Sequence, residues 1–230
     1  MKPQRVFTGW LLILTPLLFM GAFTLLQVGF DYPDILRQPA GYVLERFAAG
    51  SSGLVINWYA MLLSALLFIP IAVLLHPHLA SQGAWYLPLA TVFGVVAGIV
   101  QALGFIRWPF LVPTLAAICR DPSASVATRE AVLVAFQAFN QVAGVGVGEH
   151  LGYIFTALWT VLVGLAMLPS SIFPRWLGWM GMLSAIGIGL GILEPVGLTW
   201  AGAINAGAYI FWAVWMLVSG VLLLRSGERP

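Results

Sequence analysis

Cysteine and charge are the two things this sequence nearly lacks. One cysteine in 230 residues, Cys119, excludes an intrachain disulfide and any cysteine-based metal cluster. Charged residues make up 8% of the chain, where soluble domains carry about 25%. Ten Lys and Arg against eight Asp and Glu leave a formal net charge of +2, so no strongly basic surface points to nucleic acid. The in/out alternation of a membrane barrel is missing as well, because the apolar residues run on continuously. What is there is apolar. Hydrophobic residues are 61% of the chain, and the mean hydropathy is +0.98. Lipid, not water, is the solvent for most of such a chain.

Crossing about 30 Å of hydrocarbon takes about 20 helical residues. Six apolar runs approach or exceed that length: 6–30, 54–75, 85–106, 147–168, 176–193 and 201–224. The first has 25 residues, longer than the about 7–15 of a signal-peptide core, and reads as a retained span. The expectation is an all-α fold: a polytopic membrane helix bundle with six transmembrane helices, forming a single integral membrane domain over 1–230. Trp10, Trp58, Trp85, Trp108, Trp176, Trp179 and Trp200 fall near span ends, as an interfacial belt requires, whereas Trp159, Trp212 and Trp215 lie deeper.

Three connections are short: 76–84, 169–175 and 194–200. Two are elaborate, 31–53 and 107–146, and each is expected to carry helical segments. In the longer one, Pro109 and Pro113 stand where a new short helix can start. Ser123 or Ser125 can cap a further helix that lies on the surface or extends the fourth span. With both termini on one side, Lys and Arg divide five against five between the two faces. Lys2 and Arg5 flank the first span and Arg225 the last, which favours cytoplasmic termini. Seven of the eight acidic residues then lie on or near the opposite face.

The stretch GVGVGEHLGYIFTALW, 144–159, opens the fourth span with two ionisable side chains. Gly144, Gly148 and Gly152 recur every four residues and form a stripe that lets helices approach closely. Glu149, Tyr153, Thr156 and Thr160 make a polar face beside it, which lipid cannot satisfy and which should turn inward. His150 lies about 100° further round the helix. Arg107 ends the third span, so it and Glu149 should meet at one depth and pair. Asp34 and Arg37, three residues apart, can pair within one turn, as a solvated surface pair or as part of the site. His76 and His78 have no third ligand nearby and read as an exposed turn, so no metal is expected. The zincin pattern, the phosphate-binding loop and the nucleophile elbow are missing from the sequence.

The stretches LGFIRWPFLVPTLA, VGEHLGYIFTALWTVLVG and GAYIFWAVWMLVSGVLLL resemble an uncharacterised family of bacterial multi-pass inner-membrane proteins, a domain-of-unknown-function family. The resemblance implies a bacterial inner membrane and carries over no activity and no site residue. The residues themselves point to a polar pocket in the outer leaflet, with Arg107, Glu149, His150, Tyr153, Asp34 and Arg37 as candidate ligand-binding side chains. It would bind or transport a small polar or anionic ligand. Two other functions fit the same residues: an embedded enzyme using Glu149 or His150 for proton transfer, and an accessory or structural subunit of a membrane complex. No cofactor is expected; the expected partners are membrane lipid, a small ligand and a second copy or larger complex.

Overall fold

The computed structural model describes residues 3–50, 52–80 and 84–226. Lys2 and Arg229, which entered the orientation count, lie outside the described residues. Among the described residues there is no strand, and six helical segments are long and apolar enough to cross a membrane. The chain is an integral membrane protein of the multi-pass kind. Its helices are α1 (Pro3–Phe30), α2 (Ala40–Ala49), α3 (Ser52–Leu79), α4 (Leu87–Phe105), α5 (Arg107–Phe110), α6 (Val112–Arg120), α7 (Val126–Phe139), α8 (Gly152–Met167), α9 (Arg175–Leu190) and α10 (Trp200–Arg225). A π-helical stretch, Asn140–Leu151, joins α7 to α8, and 3-10 turns occupy Asp34–Arg37 and Gly191–Val196.

Short connections make successive spans antiparallel neighbours. Here α1, α3, α4, α8, α9 and α10 stand in a closed ring in chain order, with α10 returning to pack on α1. The two ends of the ring differ. Arg5 Nε donates to the Leu223 carbonyl at 2.9 Å, so the start of α1 and the end of α10 share one end. That end is filled. Leu12, Ile71, Trp159, Met167, Leu177 and Trp215 pack in one apolar core, and the Trp215 indole N–H donates to the Leu177 carbonyl at 2.9 Å. Glycine permits the close packing: a Cβ on Gly178 would lie 2.6 Å from the Gly164 carbonyl oxygen, so α8 and α9 cross backbone to backbone.

The other end carries a helical cap built from the two elaborate connections. Helix α2 packs on α6 and α7, around Ile35, Leu44, Phe47, Trp108, Leu115 and Phe136. The chain turns out of α1 at Asp31, whose φ of +52° is one that aspartate tolerates better than most side chains. Its carboxylate accepts from Arg46 Nη2 at 2.8 Å. Ser125 is the cap of α7, its Oγ accepting from the Thr128 N–H at 3.1 Å. Ser125→Ala is expected to lower unfolding free energy by about 1 kcal/mol, read from melts in detergent; an unchanged melt would show that the cap contributes nothing.

The helix capped by Ser125 takes the second of its two expected forms and extends the fourth span: Val126–Met167 is a continuous 42-residue helical segment, because the π stretch keeps the glycine-rich 144–148 region helical. Two features differ from the sequence expectations. The second span runs on to Leu79, and His76 is not in an exposed turn: its Nδ1 lies 2.8 Å from Thr91 Oγ1 of α4. Trp58 and Trp108 are not in an interfacial belt. Both are fully buried, and their rings stack at 4.4 Å with 5° between planes. Trp10, Trp85, Trp176, Trp179 and Trp200 are exposed, as a belt requires.

Candidate functional site

Helix α4 stops at Phe105 because Pro109 has no N–H to offer the Phe105 carbonyl. The break turns Arg107 back into the bundle, where the residue is only 7% exposed. Its guanidinium lies over Gly144, where a Cβ would be 2.5 Å from Nη2. It donates from Nη1 to the Gly104 carbonyl and from Nη2 to Asn140 Oδ1 at 3.0 Å. Its central carbon sits 5.2 Å from the Trp108 ring centroid, a cation–π contact. Asn140 is held by the cap, its Nδ2 donating to the Leu36 carbonyl at 3.3 Å.

The expected Arg107–Glu149 pair does not form. Glu149 comes five residues after Gly144, one π turn further from the cap, and its Oε2 accepts instead from Arg37 Nη2 at 3.1 Å. Arg37 also does not pair with Asp34. Its Nε and Nη2 both reach Glu194 Oε1, at 3.1 and 2.9 Å. One guanidinium from the cap thus clamps a carboxylate of the fourth span to one at the turn between α9 and α10. Burial opposes the Arg37 charge, but Glu149 and Glu194 more than offset it and hold its pKa above the ordinary value. Burial first, and the Glu149 charge second, push the Tyr32 phenol up, so it stays protonated. The clamp is half-exposed, and Arg37→Gln is expected to cost no more than about 1 kcal/mol of stability. Glu194→Gln should then add less in that background than in the wild type, measured by paired melts.

These side chains border two cavities. The first, of about 520 Å³, is lined by Arg107, Asp34, Arg37, Glu149, Tyr153 and Glu194 together with Tyr32, Trp58, Gln101, Trp108 and Tyr209. The second, of about 900 Å³, lies beside it and is bordered by His150, Asn140 and Gln137. Arg37, Glu149, Tyr153 and Glu194 line both, so the ion-pair clamp is the partition between them. Five of the six side chains singled out from the sequence therefore border the first cavity, and His150 borders only the second. The polar face below Glu149 does turn inward: Thr156 Oγ1 accepts from Gln101 Nε2, and Thr160 Oγ1 from the Trp212 indole, both at 2.8 Å.

Sequence reasoning missed Glu194, Asn140 and the Trp58–Trp108 stack. Glu194 carried a signal, a lone carboxylate closing an apolar run, which its short connection masked. Asn140 stood among other uncharged polar residues with nothing to rank it. The indoles hide one more property. Trp58 Nε1, Trp108 Nε1 and Arg107 Nε are buried donors with no hydrogen-bond partner among the described residues, and all three residues line the first cavity. Native interiors leave few such groups unpaired.

A closed ring of six apolar helices, with a capped and charged cavity at one end, defines a polytopic membrane protein of the helix-bundle class. The chain belongs to the family described as Domain of unknown function (DUF4386), whose model matches residues 7–220. No curated protein and no solved structure matches it.

Proposed function

We propose that this single integral membrane domain sits in a bacterial inner membrane with both termini cytoplasmic. Its capped cavity then lies in the outer half of the bilayer and binds a small anionic ligand, for transport or sensing. The observation that carries the reading is Arg107. It is a buried cation that makes no ion pair among the described residues, in the wall of a cavity of about 520 Å³. A charge at that depth is costly unless an opposite charge meets it. An anion in the cavity supplies that charge.

The accessory-subunit reading treats Arg107 as a pin between helices, and the enzymatic reading needs Glu149 or His150 as proton carrier. The first leaves Arg107 Nε without a purpose; in the second Glu149 is already held by Arg37, and His150 borders only the other cavity. The test is thermal stabilisation of the purified protein by phosphate and carboxylate anions, simple and alkyl-chained, compared with Arg107→Met. Wild type should be stabilised and the variant not. An equal response in both, or none in either, overturns the proposal. For topology, a reporter fused to the C-terminus should read cytoplasmic, and a periplasmic signal would invert the assignment.

A further inference from the structure

We infer that the ligand is an anionic amphiphile that enters sideways from the lipid, between α1 and α10. This deepens the anion-site reading and rests on it. At the terminal end the two helices touch: a Cβ on Gly220 would lie 2.7 Å from the Gly9 carbonyl oxygen. Toward the cap they part. The Phe19 and Tyr209 rings still meet at 6.4 Å, but beyond them the residues that would fill a closed seam border the first cavity instead. On α1 these include Phe23 and Gln27, and on α10 Ala203 and Ala206, while Ile210, next to Tyr209, borders the cavity at the foot of the seam. Gln27, Ala203 and Ile210 are themselves exposed, Ile210 by 50%. Since α1 and α10 are spans, an opening of the cavity between these residues would face hydrocarbon.

Charge argues against the alternative route. The cap side of the cavity carries Asp34, Glu149 and Glu194 against Arg37 alone, three carboxylates to one guanidinium. A soluble anion approaching from water meets a net negative mouth, which disfavours it. From the seam, an anionic headgroup reaches Arg107 without crossing that cluster. The walls match the two ends of such a molecule. The Arg107 guanidinium in the cavity wall suits a phosphate or carboxylate headgroup, and Phe19 and Phe23 offer an apolar path for the chain.

The experiment compares dodecyl phosphate with methyl phosphate, which share a headgroup and differ in the chain, on full-length protein in phosphatidylcholine nanodiscs. Affinity is read from thermal shifts across a titration. Dodecyl phosphate should bind more than about tenfold tighter, and dodecanol, which lacks the charge, should give no comparable shift. Ala203→Trp, which fills the seam from its exposed side, should weaken dodecyl phosphate about tenfold relative to methyl phosphate; Ile210→Trp serves as the second seam variant. Arg107→Met should abolish both responses. Equal binding of the two phosphates, or seam variants without effect on their ratio, overturns lateral entry while the anion site stands. If neither phosphate binds wild type, the anion site falls with it.

Discussion

Gly148→Leu is expected to be the most destabilising single substitution at the cap end, costing about 3 kcal/mol. Gly104 of α4 and Gly148 of the π stretch face each other with nothing between. A Cβ on Gly148 would lie 2.9 Å from the Gly104 Cα, and a Cβ on Gly104 would lie 2.7 Å from the Gly148 Cα. The obstructing atoms are backbone on both sides, so no rotamer change relieves the overlap and the helices must separate. Overpacking against atoms that can move costs about 1–3 kcal/mol; here the upper end applies. For a chain of this length the corresponding fall in melting temperature is roughly 6–12 °C. Gly207→Leu is the control, because a Cβ there meets no atom within 4 Å. An unchanged melt for Gly148→Leu, or an equal fall for Gly207→Leu, would sink the close-approach argument.

Arg107→Met is expected to remove ligand binding and leave the fold standing. The substitution gives up the hydrogen bonds to Gly104 and Asn140 and the stacking on Trp108. It also removes a buried cation whose desolvation costs several kcal/mol. The two changes oppose each other, and the net effect on the ligand-free protein should stay within about 1 kcal/mol. A helix-pinning role makes the opposite forecast, a loss of about 3–5 kcal/mol like that from breaking a buried ion pair. Melts without ligand separate the two, and titration with an anion shows whether binding went with the charge.

How much of this was legible beforehand depends on whether local or distant residues decided it. The six spans were legible because hydropathy over about 20 residues needs no knowledge of neighbours. The inward turn of Thr156 and Thr160 followed from helical period and the intolerance of lipid for polar groups. The packing of the glycine stripe was legible for the same reason, and all three glycines face α4 or the residue just past its break: Gly144 meets Arg107, Gly148 meets Gly104 and Gly152 meets Gln101. The ion pairs were not legible. Arg37 reaches 112 residues along the chain to Glu149 and 157 to Glu194, so sequence proximity to Asp34 misled. Arg107 and Glu149 were placed at one height by assuming regular helices, but the π stretch and the break before Pro109 set them a turn apart. Trp58 and Trp108 sit near span ends as interfacial tryptophans do. The cap, folded from 31–53 and 107–146, buries them together with Phe30 of α1 and Phe105 of α4.

The most direct test of the anion site is an experimental density map of the protein purified from its own membrane without added ligand. The expected result is an elongated feature whose head lies against the Arg107 guanidinium and whose tail runs toward the seam between α1 and α10. The contradicting result is a map in which Arg107 turns to meet Glu149 directly and only water fills the cavity, which would make the arginine a structural member of the helix packing.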